Sequence, residues 1–288
     1  MKRVFITGAQ GQLGLAIIEL LKDKQEYELY LTDSRPDLEG IIKMLDITDE
    51  ASVKSEILSF YPDIIINCAA MTAVDLCETE KERAYAINAL GPKYIAKAAN
   101  SIGAKLIHIS TDYVYDGQAQ TPYTEEAVPN PISVYGSTKL VGDKFVMDYC
   151  PKASIIHTSG VYGEGKNFVR TMLRLADEDR KIRVVSDQIV TPTSSMELAR
   201  VIVYLMETDS HGKYHATCEG STNWYEFALK IFKIAGKEPS VEAISTSEYP
   251  TPAKRPMYSV LDNKKLREVH GYTMKKWEDA LEEYLRRI

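Results

Sequence analysis

Short unbroken apolar runs, each followed by a longer stretch of helical spacing, constrain this chain more than any other feature. Val4-Phe5-Ile6, Ile64-Ile65-Ile66 and Leu106-Ile107-His108-Ile109 show no polar alternation. A strand with one wet face alternates, whereas a strand covered on both faces does not. Residues 13–22, 52–61, 81–101 and Val134–Tyr149 carry helix-like spacing, and further apolar runs fall at 29–32 and Ser154–Thr158. Strand, helix, strand, repeated, predicts an α/β fold. It is a Rossmann-type doubly wound parallel sheet with helices on both faces.

Beyond about residue 159 the rhythm loosens. Helices are predicted at Phe168–Ala176, 196–206, 224–235 and 275–287, with short strands near 183–185 and 214–217 and a Pro-rich stretch at 249–256. The 288 residues are therefore expected to divide into a sheet part, 1–158, and a smaller C-terminal part, 159–288. The two are expected to be partly interleaved, with a helix at 195–207 packing back on the sheet. Neither a linker nor an internal repeat separates them.

Charge and cysteine usage narrow the partners. The formal net charge is −6 with no long basic run, so neither nucleic acid nor a membrane surface is expected as a partner. Cys68, Cys77, Cys150 and Cys218 lie far apart without a C-x-x-C pair, which suits a reducing cytoplasm and no zinc knuckle. His211 and His215 with Cys218 lack further ligands at sensible spacing, so no metal is expected there. No stretch has the length of a signal peptide's apolar region or of a membrane span, and a cytoplasmic location is expected.

The strongest motif joins the first strand to the first helix: Gly8, Gln10, Gly11, Gln12, Leu13 and Gly14. Glycine permits a tight turn and close backbone approach, and the helix N-terminus offers free N–H groups to a pyrophosphate. The spacing is G-x-x-G-x-x-G. Asp33, at the end of the second strand, is placed to accept from an adenosine ribose hydroxyl, followed by Ser34 and Arg35. Arg35 suits a 2′-phosphate, so NADH and NADPH both remain open. Asp46 and Ile47 end the next apolar run near the adenine, and Cys68, Ala69, Ala70 and Thr72 leave room beside the backbone.

Tyr135 and Lys139 lie at i and i+4, one above the other on a helix face. The chain has two other such pairs, Tyr162/Lys166 and Tyr272/Lys276. The former encloses Gly163 and Gly165, and the latter lies away from any sheet edge. Only Tyr135/Lys139 follows a buried strand ending in hydroxyl residues, Ser110-Thr111, at the edge where ligands bind in such sheets.

This combination resembles the extended short-chain dehydrogenase/reductase superfamily. Residues 68–75, 110–117, 187–193 and 255–261 narrow the resemblance, over nearly the full chain, to the dTDP-4-dehydrorhamnose reductase family. The resemblance implies a catalytic set of Thr111, Tyr135 and Lys139. Lys139 would favour the Tyr135 phenolate and hold the nicotinamide ribose, Thr111 would hydrogen-bond the ketone oxygen, and Tyr135 would protonate it as NADH or NADPH delivers hydride. Asp112, Tyr113 and Gly160 are implied beside the sugar. Asn167, Phe168, Gln188 and Arg255 are implied at the nucleotide–diphosphate end.

Two departures from the family pattern stand out. His157-Thr158-Ser159-Gly160 replaces Arg-Thr-x-Trp, which removes an aromatic wall and leaves the exact hexose open. Where some members carry carboxylates for a magnesium-bridged dimer, this chain has Ala16, Met196 and Arg200, so a monomer without that metal site is expected. A reductase or 4-epimerase for another nucleotide sugar shares every cofactor signal. So does a non-catalytic binding subunit resembling the methionine adenosyltransferase β subunit.

Overall fold

The computed structural model describes residues 1–37, 40–178 and 180–288. Its central sheet has seven parallel strands: β1 (Lys2–Thr7), β2 (Tyr27–Asp33), β3 (Lys43–Met44), β4 (Ile64–Asn67), β5 (Lys105–Thr111), β6 (Ser154–Thr158) and β7 (Gly212–His215). The longer helices are α1 (Gln12–Leu21), α2 (Glu50–Phe60), α3 (Gly91–Ile102), α4 (Val134–Tyr149), α5 (Phe168–Ala176), α6 (Ser195–Met206), α7 (Trp224–Ile234) and α8 (Trp277–Leu285).

Strand order is β7-β6-β5-β4-β1-β2-β3, the expected doubly wound sheet. The order reverses between β1 and β4, and ligands bind at the carboxyl ends beside such a reversal. Thr7 pairs in register with Thr32 on one side and Asn67 on the other, and Thr111 with Thr158. The strand ends are thus brought level along one edge.

Burial on both faces accounts for the apolar runs. Val4, Ile6, Ile64, Ile66, Ile107 and Ile156 pack against α1 and α6. Phe5, Ile65, Leu106 and Ile155 face the other way, against α2, α3 and Val146 of α4. Ile65 is fully buried, so Ile65→Ala would cost about 2–5 kcal/mol in lost burial and cavity formation. Helix starts follow their capping residues: Asp49 accepts from Ala51 and Ser52 N–H, and Ser133 accepts from Gly136 N–H.

A separate cluster forms the core of the C-terminal part. Tyr162, Phe227, Trp277 and Tyr284 bring α5, α7 and α8 together, beside the parallel pair Ile182–Val185 and Val241–Ile244. Residues 195–215 go instead to the large sheet. Leu198, Ile202 and Leu205 of α6 lie in its core, and β7 extends it beside β6.

Two local expectations change. The short strand foreseen at 214–217 is Gly212–His215 and joins the main sheet. The single helix foreseen at 81–101 breaks at a π turn, Ala86–Leu90, before α3 begins. Asn88 sits in that turn, accepting from Met71 N–H at 2.8 Å and donating to the Met71 carbonyl at 3.2 Å. A buried amide clamped to a neighbouring loop gives the extra residue of the turn a structural use.

Candidate active site

A cleft of about 970 Å³ opens at the carboxyl edge of the sheet, bounded on its far side by the C-terminal part. It is lined by Gly8, Gln10, Gly11, Gln12, Leu13, Gly14, Asp33, Ser34, Arg35, Asp46, Ile47, Cys68, Ala69, Ala70 and Thr72. Thr111, Asp112, Tyr113, Tyr135, Lys139, Gly160, Gln188 and Arg255 line the same space. Two residues read from the sequence do not. Asn167 instead caps α5, accepting from Arg170 N–H and donating to the Gly165 carbonyl and the Tyr284 hydroxyl. Phe168 turns into the smaller core, stacked on Phe227 at 5.6 Å and beside Trp224 at 4.8 Å. An amphipathic helix start puts its cap and its first apolar residue to structural use.

The glycine turn is shaped by close approach. Gly8 has φ +67°, and a Cβ there would lie 2.7 Å from Ala69 N; at Gly14 it would lie 2.4 Å from the Gly8 carbonyl oxygen. Among the described residues no side chain caps the start of α1, and its first turn holds no acidic residue, so its N–H groups suit an anion. Asp33 accepts from Gln10 N–H at 3.0 Å and from Arg35 through Nε at 3.0 Å. Burial pushes its carboxyl up, but the hydrogen bonds from Arg35 and Gln10 outweigh this and hold it below its ordinary range. Arg35 is therefore paired rather than loosely solvated. Asp46 accepts from Thr48 N–H and hydroxyl, which leaves its second oxygen for a ligand.

Tyr135 and Lys139 occupy the first turns of α4. Gly136 between them is required by packing, since a Cβ would sit 2.0 Å from the Tyr113 carbonyl oxygen. The Tyr113 and Tyr135 rings meet edge to face at 5.6 Å. Lys139 is only 1% exposed, and its Nζ donates to the Ile109 carbonyl at 2.6 Å. Burial pulls the ammonium down to about 8, opposed by the charge of Asp143. The Tyr135 phenol moves opposite to the sequence expectation: burial pushes it up, against the lowering effect of its hydrogen bond with Thr111. At neutral pH it is a protonated donor.

Asp112 is buried and holds its neighbours, accepting from Thr111 Oγ1 at 3.0 Å and Ser159 Oγ at 2.8 Å. Burial raises its carboxyl above the ordinary range. Arg255 crosses the cleft mouth, donating from Nη2 to Asp75 at 2.7 Å and from Nη1 to the Tyr113 hydroxyl at 3.3 Å. Gln188 donates to the Thr246 hydroxyl at 3.0 Å. Gly160, at φ +55°, passes so close to the 190–192 segment that a Cβ would lie 3.2 Å from Pro192 Cα.

Trp224, Lys166, Glu164 and Arg83 also line the cleft and were missed in the sequence. Trp224 opens α7 directly after the Asn223 cap, and Lys166 follows the turn glycine Gly165, so both had a positional signal. Trp224 supplies an aromatic surface in a cleft whose position 160 has none.

The comparisons with known proteins agree with this geometry. The family model described as RmlD substrate binding domain matches residues 1–288. The dTDP-4-dehydrorhamnose reductase of Escherichia coli (strain K12) is 40% identical over 255 residues, spanning 84% of this chain and 85% of the relative. That of Aggregatibacter actinomycetemcomitans is 41% identical over 294 residues, spanning 98% of this chain and 97% of the relative. Among solved structures, the dTDP-4-dehydrorhamnose reductase of Bacillus anthracis str. Ames in complex with NADP superposes with a TM-score of 0.94. It is 42% identical and the match covers 100% of this chain and 99% of that one. With a shared family model, near-complete coverage and a common fold, the chain belongs to the dTDP-4-dehydrorhamnose reductase family.

Proposed function

We propose that this protein reduces the 4-keto group of dTDP-6-deoxy-L-lyxo-4-hexulose with NADH or NADPH to give dTDP-L-rhamnose, a precursor of cell-surface polysaccharide. The observation that carries this is the meeting of Thr111, Tyr135 and Lys139 with the glycine cradle in one cleft. The cradle suits a dinucleotide, because Gly8, Gly11 and Gly14 line the cleft at the start of α1, where no side-chain cap among the described residues takes up the N–H groups a pyrophosphate would use. A bound reduced nicotinamide supplies the hydride.

The chain's own groups then manage charge and protons. The Tyr135 O–H donates its proton to the ketone oxygen as that oxygen gains negative charge. A phenol kept protonated by burial suits this direction of the reaction, since a developing alkoxide is the stronger base. The Lys139 ammonium stabilises the tyrosinate left behind, and solvent reprotonates it. Thr111 turns its hydroxyl from Asp112 toward the ketone oxygen, with Asp112 and Ser159 fixing the backbone beneath. Arg255 exchanges Asp75 for diphosphate oxygens, to which a guanidinium fork is matched.

The protein works in the cytoplasm as a monomer without a bridging magnesium. Arg200 supports this, because it is committed to Glu197 and Glu283 on the surface where bridging carboxylates would be needed. Light scattering with and without a chelator tests it, and a chelator-sensitive dimer would overturn it.

Turnover is tested by following oxidation of NADH and NADPH with enzymatically generated keto sugar, identifying the product by mass and NMR. Formation of dTDP-L-rhamnose by wild type, with Tyr135→Phe reduced at least about a hundredfold while still binding cofactor, is the expected result. Wild-type rates in Tyr135→Phe would overturn the mechanism. Cofactor binding without any turnover would favour the binding-subunit role.

A further inference from the structure

A buried charged cluster lies beside Lys139, outside the cleft lining. Asp143 follows Lys139 by one turn of α4, and its Oδ2 accepts from Ser110 Oγ at 2.8 Å and His157 Nε2 at 2.9 Å. Its other oxygen, Oδ1, has no hydrogen-bond partner among the described residues and faces His108 Nε2 at 3.5 Å. The same His108 Nε2 lies 3.5 Å from Lys139 Nζ. His108 is fully buried, and its imidazole stands between the ammonium and the carboxylate.

The surrounding hydrogen bonds define the protonation of that imidazole. Asn67 Oδ1 accepts from Thr7 Oγ1 at 2.6 Å and from Ala69 N–H at 3.2 Å. Its Nδ2 must then donate to His108 Nδ1, 2.9 Å away, so the ring proton sits on Nε2, on the side of the Asp143 carboxylate. Burial pushes His108 down to about 3, which keeps the ring neutral. Lys139 itself makes no ion pair among the described residues. An ammonium this deeply buried needs a counter-charge, because desolvation favours its neutral form.

We propose that Asp143 is a positioning residue for Lys139, its buried carboxylate acting across the neutral His108 ring as the counter-charge that keeps Lys139 an ammonium during turnover. The groups facing Asp143 come from every neighbouring element: Lys139 on its own helix, Ser110 and His108 on β5, His157 on β6, Lys213 on β7 and Tyr115 in the loop after β5. Lys139 is opposed from the cleft side by Cys68, whose thiol burial pushes up to about 12 and so keeps uncharged. Asp143 is thus the anion that serves Lys139. Hydrogen bonds from Ser110 and His157 hold it there, and the His157 bond together with the charge of Lys139 offsets the burial that would otherwise raise its carboxyl.

The proposal rests on the reductase reading for its activity readout, so the test adds a second readout. The pH dependence of kcat and kcat/KM is measured for wild type, Asp143→Asn and Asp143→Glu, together with the pH dependence of NADPH affinity without substrate. In Asp143→Asn, which preserves shape but not charge, the alkaline limb should move toward acid by about one pH unit, giving up to about a tenfold loss above that limb. NADPH affinity should show the same displacement, and Asp143→Glu should restore the wild-type limb. Coincident profiles, or a loss equal at every pH, would reduce Asp143 to a structural hydrogen-bonding residue and overturn the proposal. If Asp143→Asn does not melt cooperatively, Asp143→Ser removes the same charge and reads the same displacement, and an unmoved profile there overturns it equally. A wild type that turns over nothing, with NADPH affinity still displaced in Asp143→Asn, would sink the substrate assignment and support this one.

Discussion

The Arg35 guanidinium holds the Asp33 carboxylate through two nitrogens, Nε to Oδ1 at 3.0 Å and Nη2 to Oδ2 at 3.2 Å. Both residues line the cleft, and on the proposed reading Asp33 accepts from a ribose 2′-hydroxyl while Arg35 meets a 2′-phosphate. Arg35→Ala should therefore lower kcat/KM for NADPH about tenfold, roughly one to two kcal/mol for a lost charge-assisted contact. The value for NADH should stay level or rise, because Asp33 is released. Equal losses with both cofactors would show that Arg35 only orders the loop.

Gly8 makes the sharpest demand on backbone shape in the cradle. Its φ of +67° and the 2.7 Å approach to Ala69 N leave no space for a methyl group. Gly8→Ala should weaken binding of both NADH and NADPH by at least about tenfold and lower the melting temperature, at a strain of roughly 1–3 kcal/mol. Fluorescence titration checks the first effect and thermal melting the second. Unchanged cofactor affinity would mean that the turn does not hold the pyrophosphate.

Arg255 is held in place before any substrate arrives, by Asp75 and by the Tyr113 hydroxyl. Burial opposes its charge, but those two partners keep the guanidinium above its already high ordinary range. Arg255→Ala should raise KM for the nucleotide sugar at least about tenfold while changing KM for NADPH little. Asp75→Asn should have a smaller effect on KM, since it releases the guanidinium without removing it. A variant in which only kcat falls would place Arg255 at the reacting carbonyl instead.

Legibility in the sequence followed burial and backbone demand. Ile64-Ile65-Ile66 reads as a central strand because both faces are covered, and the glycine turn reads as a cradle because its spacing imposes the backbone path. β7 was displaced in the reading because Lys213 and His215 interrupt its apolar character; His215 is buried by stacking on His157 at 5.6 Å. The π turn at Ala86–Leu90 left no periodic trace, since one added residue within a helix keeps the same composition. Asn167 and Phe168 were misplaced for a different reason. Their neighbourhood of turn glycines was visible, but the direction of the Asn167 side chain depends on Tyr284 of α8 and that of Phe168 on Trp224 and Phe227 of α7, all far later in the chain.

Glu283 joins that last helix to the one covering the sheet, accepting from Arg200 Nη2 at 2.6 Å and Lys275 Nζ at 2.6 Å. The Arg200 hydrogen bond, with help from Lys275 and against partial burial, holds the Glu283 carboxyl at about 2 instead of its ordinary 4.5. A carboxyl depressed on folding stabilises the protein fully above its unfolded value, and that contribution is lost as pH falls from about 4.5 through about 2. The side chain is 28% exposed, so solvent screening reduces the contribution to on the order of 1–2 kcal/mol. Glu283→Gln should accordingly melt about 2–4 °C below wild type near neutral pH. Melting curves taken at falling pH should bring the two proteins together as wild-type Glu283 takes up its proton. A gap that stays constant down to the acid limit would locate the effect in helix packing, with no share for the ion pair.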